Sequence, residues 1–264
     1  MSKNYENGVI ATNAGGSTDL SVDFETTGAI YWVDSVNGND SNAGTNRNEA
    51  KATLSSAITA ATANNGDMII LESGHTETLT SSLTISKAGL RIFGLGTGSN
   101  KPNFTIDAAI DGFGITGANV EINGLRFPVG TTTGNTSRIN IDAAGVRITD
   151  CVFLCGAQDA ETITITANGL YPTIKGCSFT ISADGGDSAI EVESASIVGM
   201  TVDDCTFDGG DYNWDNAALY SAVAHTEFVY RDNTLTNKAS IIHTAASKGQ
   251  AIGTVSGDGS YIQI

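Results

Sequence analysis

From residue 67 to about 238, apolar and polar residues alternate in short bursts and never settle into a helical period. One eight-residue phrase recurs: apolar, any, apolar, any, Gly or Asp, small apolar, any, Phe. It reads Val120-Glu-Ile-Asn-Gly-Leu-Arg-Phe127, then Val146-Arg-Ile-Thr-Asp-Cys-Val-Phe153. It returns as Pro172-Thr-Ile-Lys-Gly-Cys-Ser-Phe179 and Met200-Thr-Val-Asp-Asp-Cys-Thr-Phe207. Looser copies stand on either side, Leu90-Arg-Ile-Phe-Gly-Leu before and Phe228-Val-Tyr-Arg-Asp-Asn-Thr-Leu235 after. The Gly/Asp marker falls at 94, 124, 150, 176, 204 and 232, at intervals of 30, 26, 26, 28 and 28. A second strand precedes each marker, as in Leu83-Thr-Ile85, Ile139-Asn-Ile141, Ile163-Thr-Ile165, Ile190-Glu-Val192 and Leu219-Tyr-Ser221. Each alternates with the two-residue period of a strand that buries one face. Gly- and Asn-containing turns such as Ala143-Ala-Gly145 and Ala167-Asn-Gly169 separate them.

A unit of ~27 residues with two or three short strands and no helix cannot close a core alone, but it can when stacked on copies of itself. The pattern therefore predicts an all-β, single-stranded, right-handed parallel β-helix of about seven rungs, roughly 34 Å long at ~4.8 Å per rung. Phe127, Phe153, Phe179 and Phe207 are expected to stack as one internal column, with Leu125, Cys151, Cys177 and Cys205 as another. A leucine-rich repeat is the competing solenoid, but no Leu-x-x-Leu-x-Leu phrase appears. Ahead of the repeats, Tyr31-Trp-Val33 reads as a strand and Asn37 to Gly44 as a turn-rich loop. Leu54, Ala57, Ile58 and Ala61 then fall at helical spacing after an N-cap at Thr53, with Asn65-Gly66 as the stop. A helix here would cap the open end of the solenoid. The expected divisions are an N-terminal arm at 1–30, a strand–loop–helix cap at 31–66, the β-helix at 67–238 and a closing segment at 239–264.

Composition agrees with many short strands and tight turns. Gly numbers 31, Pro 3, and charged residues are 16% of the 264. The formal charge is −16, from 29 acidic and 13 basic residues, with no basic stripe. Such a chain is a poor partner for nucleic acid or for an anionic membrane surface. No stretch reaches the ~18 apolar residues of a membrane span, and the first residues lack the apolar core of a secretory signal, so synthesis in a cytosol is expected. Cys151, Cys155, Cys177 and Cys205 show neither CxxC spacing nor nearby His, which argues against zinc.

The run from Tyr31-Trp-Val-Asp through Asn37-Gly-Asn-Asp, Gly44-Thr, Ala52-Thr-Leu, Ala57-Ile, Asn65-Gly-Asp-Met-Ile-Ile-Leu and Ser73-Gly-His resembles the opening of pectin-lyase-like β-helix proteins. With the rungs, the resemblance covers residues 31 to about 240. It speaks to fold and not to activity, since this scaffold hosts lyases, hydrolases, adhesins and phage virion proteins. In its shortness and acidity the chain most resembles tailed-phage structural proteins. That resemblance implies a homotrimer that decorates a capsid, docked on the major capsid protein and located on the virion.

Several residues carry candidate chemistry, each with a plainer reading. Asp203-Asp204 is the one surviving fragment of a polygalacturonase-like set, and Gly74-His75 is too far along the chain to help it. Asp204 also fills the turn slot of Gly124, Asp150 and Gly176, so a turn role is expected. Asp142, Glu191 and Glu193 are assigned to one outer face, where pectate-lyase-like chemistry would hold calcium; polar residues must occupy outward positions in any case. Asp34, Asn37, Asn39, Asp40 and Asn42 offer oxygens without EF-hand spacing, which fits a hydrogen-bonded loop. Cys151, Cys177 and Cys205 are read as internal packing, and Cys155 has no evident place. Tyr212 and Trp214 lie in a polar insertion as possible platforms for a sugar or a subunit. Leu20-Ser-Val-Asp-Phe24 alternates like an arm that adds a strand to a neighbour. No residue is assigned as catalytic, cofactor-binding or metal-binding, and no cofactor is expected. The expected function is a non-enzymatic virion protein; the alternative is a carbohydrate-binding or carbohydrate-cleaving spike with a surface glycan as its partner. Aligned Thr-x-Thr of the ice-binding kind is seen only at Thr164-Ile-Thr166.

Overall fold

A computed structural model describes residues 26–130, 134–156, 159–184, 186–194, 197–212, 214–221, 223–224, 226–236, 239, 241–243 and 248–252. Leu20–Phe24 lies outside them, as does most of the expected closing segment. The described chain winds as a parallel β-helix with three sheets, one of nine strands and two of seven. The first sheet runs Ile30–Val33, Met68–Leu71, Arg91–Gly94, Glu121–Asn123, Arg147–Thr149, Thr173–Lys175, Thr201–Asp203, Thr226–Arg231 and Lys248–Ile252. The second runs Thr76–Leu79, Asn103–Ile106, Arg126–Phe127, Val152–Cys155, Ser178–Ile181, Thr206–Asp208 and Thr234–Thr236. The third runs Leu83–Ile85, Asp111–Ile115, Asn135–Ile141, Asp159–Ile165, Gly186–Val192, Trp214–Ser221 and Ile241–His243. Each coil contributes one strand to each sheet.

The marker phrase spans the join between the first and second sheets. Its Gly or Asp is the residue that turns the corner, and Gly124, Asp150, Gly176, Asp204 and Asp232 all adopt left-handed backbone with φ between 51° and 76°. The slot therefore admits residues that tolerate that conformation, and Asp204 has the turn role expected of it. Gly94 shares the register but not the positive φ. It is small for a different reason, since a Cβ there would meet Gly124 O at 2.6 Å.

A second left-handed column, unmarked in the repeat phrase, enters the first sheet. It runs Asn64, Gly89, Asn119, Gly145, Tyr171, Gly199 and Glu227, with φ from 54° to 74°. From Asn64 to Gly199 the N–H of each bonds across to the next coil, as in Asn119 N to Ala144 O and Gly145 N to Leu170 O, both 2.8 Å. Side chains and glycines alternate along the column. A Cβ on Gly145 would overlap Asn119 Oδ1 and one on Gly199 would overlap the Tyr171 ring, so a bare residue sits over each of those two side chains, whereas a Cβ on Gly89 would clear Asn64 by 3.8 Å.

Inside, identical residues stack. Phe127, Phe153, Phe179 and Phe207 lie 4.8 to 5.0 Å apart between ring centroids with planes within 7° of parallel. Leu125, Cys151, Cys177 and Cys205 form the expected parallel column, all buried and the cysteines all free. Burial holds the Cys177 thiol well above its ordinary pKa, so it behaves as an apolar filler. Asn233 closes that column, accepting from Cys205 N at 2.9 Å and donating to Val202 O at 2.8 Å. Cys155 also points inward, its Sγ 3.0 Å from Thr162 Oγ1.

The cap helix is Leu54–Ala60. Thr53 Oγ1 accepts from Ser56 N at 3.2 Å, and Leu54, Ala57 and Ile58 are buried against the core. Ala61 lies one residue past its end as the C-cap. No described helix is long and apolar enough to cross a membrane.

Candidate functional site

The third sheet departs from simple alternation in every middle coil. Arg138-Ile139, Thr162-Ile163, Ala189-Ile190 and Ala218-Leu219 are consecutive buried pairs, because the strand bends round a corner of the solenoid. The bend leaves Glu161 on the outer face on one side and Thr164 and Glu191 on the other, with Glu161 beside Ser188 and Thr164 beside Glu191 in register.

Carboxylates gather there. Burial pushes the Glu161 carboxyl up to about 7, helped by the negative charges of Glu191, Asp187 and Glu193. Burial likewise raises Glu191, with Glu193 and Asp187 adding to it, and raises Asp187, with Asp215 adding. The Ser188 hydroxyl faces Glu191 and favours its charged form, yet Ser188 Oγ, Thr164 Oγ1 and Glu191 Oε2 are all buried without a hydrogen-bond partner. The one Lys or Arg in the described strands of this sheet is Arg138, fully buried, whose Nη1 donates to Phe127 O at 2.9 Å. A carboxyl that holds its proton near neutrality can donate or take one. Among the described residues, no three His, Cys, Asp or Glu side chains converge as metal ligands.

The sequence-derived candidates scatter. Glu191 and Glu193 belong to this cluster. Asp142 does not: its Oδ1 accepts from Thr166 Oγ1 and from Asn168 N and Nδ2, as the acceptor of a turn. Asp203 lies on the first sheet between Arg231 and Lys175, at 2.6 and 2.9 Å, and Arg231 above all holds its carboxyl down at about 2. It is a structural ion pair, with Asp204 at the adjacent turn. His75 is buried, its Nδ1 accepting from Ser35 N at 3.0 Å and its Nε2 2.8 Å from Glu77 Oε1, which also accepts from Leu54 N. It ties the cap to the first coil. Asp34, Asn39 and Asp40 bond within their own loop and to Ala52 and Thr53. Tyr212 is exposed, but Trp214 is not a surface platform. It begins a strand of the third sheet, pairs in register with Gly186, and packs into the core. Glu161 was missed because its signal is the broken alternation at Thr162-Ile163, which reads locally as a strand start.

The second sheet presents a different outer face. Its outward positions are Thr76 and Thr78, Asn103 and Thr105, Arg126, Val152 and Leu154, Ser178 and Thr180, Thr206 and Asp208, Thr234 and Thr236. The partners between them, Phe104, Phe127, Phe153, Phe179, Phe207 and Leu235, face the core. Thr-x-Thr therefore recurs on one face at 76–78 and 234–236, beyond the single instance read from the sequence. Arg126 Nη1 donates to Asn103 Oδ1 at 2.8 Å and Asp208 Oδ1 accepts from Thr236 Oγ1 at 2.9 Å, so the two charges are engaged within the face.

No protein-family model matches the chain, and no curated protein matches its sequence. Solved structures do match in shape. Pectate lyase Pel9A superposes with a TM-score of 0.58 at 16% identity, covering 87% of this chain and 63% of that one. A rhamnogalacturonan lyase gives 0.58 at 16%, covering 86% and 62%. The protein described as Geobacillus virus E2 ORF18 gives 0.52 at 12%, covering 76% and 44%. The chain thus spans less than two thirds of the length of either lyase. At these identities the likeness is one of fold. By that fold, the chain is a parallel β-helix.

Proposed function

We propose that the chain is a non-enzymatic structural protein of a tailed-phage virion, a β-helical subunit of a homotrimer that decorates the capsid by docking on the major capsid protein. The observation that carries this reading is the third-sheet cluster. Glu161, Glu191, Asp187 and Glu193 gather round the bend of the third sheet, whose described strands offer no exposed cation. Pectate and rhamnogalacturonan both carry uronate carboxylates, so without a bridging cation such a face repels the substrates named for the two lyases, and a net charge of −16 adds to the repulsion; among the described residues no three side chains converge to hold such a cation. The shape shared with a Geobacillus virus E2 protein points the same way.

One observation favours a second reading. A Glu161 carboxyl held up at about 7, within electrostatic reach of Glu191, Asp187 and Glu193, is suited to acid–base cleavage of a neutral glycan. Product release from polygalacturonate, rhamnogalacturonan and a panel of neutral surface glycans separates the two. The virion reading expects no cleavage of any of them. Turnover of a neutral glycan that Glu161→Gln abolishes would overturn it in favour of the second.

A further inference from the structure

We infer that the outer face of the second sheet is the surface on which a second copy of this chain packs. The inference deepens the oligomeric part of the proposed function and is independent of the virion. The argument begins with charge. Each copy carries −16, so two copies repel wherever their acidic faces meet. The third sheet gathers carboxylates. The first is a ladder of ion pairs, Arg91 with Glu121 and Asp203 with Lys175 and Arg231. Closing a copy onto either face would desolvate charges.

The second sheet carries less of that cost, since the exposed Asp150, Asp204 and Asp232 lie only at the corner it shares with the first. Among its described outward positions stand one cation and one anion, each bonded within the face, and the rest are uncharged. Six rung spacings of about 4.8 Å make the strip roughly 29 Å long. Its side chains are short and mostly β-branched, as at Val152, Thr180, Thr206 and Thr234, so little rotamer entropy is lost on burial. The strands below are held in register by the stacked phenylalanines, which keeps the face flat and preorganised. A second copy suits this face better than a basic partner would, because a basic partner finds its complement on the third sheet.

The test is solution mass by light scattering at micromolar concentration, on the full chain and on Thr180→Glu and Thr206→Lys, with Thr201→Glu on the first sheet as control. Both test positions point outward, and thermal unfolding of each variant confirms that the coils still form. The expected result is an oligomer, about 82 kDa for three copies of 27.2 kDa, that falls to the monomer mass in both second-sheet variants and persists in the control. A dimer near 54 kDa that the same variants dissolve keeps this face and overturns the trimer. An oligomer untouched by either variant overturns this face and leaves the oligomeric reading standing. A wild-type mass of 27 kDa overturns both.

Discussion

The second and third sheets run through the same coils, yet they keep the repeat to very different degrees. In the second, a corner of fixed length feeds a short strand, and Phe recurs at one depth four times running. In the third, strands of up to eight residues bend at a corner, and insertions of different length precede them. Interior positions there still match, but outward ones do not. Fidelity to the repeat marks where stacking dictates the residue. Infidelity marks where the chain is free to build something particular, and the carboxylates at Glu161 and Glu191 are gathered there.

Substitutions can break this contrast or sharpen it. The largest effect is expected in the second sheet: Phe153→Ala removes a ring from the middle of the stack and should cost about 3–5 kcal/mol in denaturant unfolding. A loss under 1 kcal/mol would mean that the column is not what holds the coils in register. Next comes Gly145→Ala, which places a side chain at φ 72° against Asn119 and should cost about 1–3 kcal/mol. Adding Asn119→Gly should recover part of that loss, and failure to recover any would refute the overlap as its cause.

Asp203→Asn should cost about 1–2 kcal/mol at neutral pH, since Lys175 and Arg231 lose their common partner. Because its folded pKa is depressed to about 2, its contribution is fully present above the ordinary carboxylate value near 3.9 and is lost as pH falls through about 2. The acid limb of a stability–pH curve should therefore flatten in the variant.

The smallest effect belongs to the third sheet and has the opposite sign. Glu161 is raised to about 7, so the folded state binds its proton more tightly than the unfolded state, whose pKa lies near 4.3. Stability should then decline as pH rises from about 4.5 to 7. At a half-buried group the loss, discounted for solvent screening, is on the order of 1 kcal/mol. Glu161→Gln should make that limb shallower, the raised Glu191 and Asp187 carrying the remainder, and an unchanged slope would remove Glu161 as a source.

How much of this was legible in the sequence follows the same contrast. The Phe and Cys columns and the left-handed marker slot could be read directly, because each is one residue type at one place in a repeat. The cap helix could be read from Thr53 and the spacing of Leu54, Ala57 and Ile58. Trp214 could not: its burial depends on pairing with Gly186 one coil earlier, while its neighbours Tyr212, Asp215 and Asn216 advertise a surface loop. Glu161 could not either, because burial and three carboxylates from other segments set its state, and none of these is near it in sequence. The Thr-rich outer face went unseen for a simpler reason. Each strand offers only one or two of its residues, and the face exists only once the strands are stacked.

The alternation of bare and substituted residues in the left-handed column through Asn119, Gly145, Tyr171 and Gly199 has a consequence for how such a chain can lengthen. The unit that translates onto itself there is two coils, not one. Copying a single coil that carries a side chain there would set two side chains face to face at the junction. Growth by gene duplication should therefore be tolerated in pairs of coils, about 54 residues at a time, and resisted where a single copied coil brings two such side chains together.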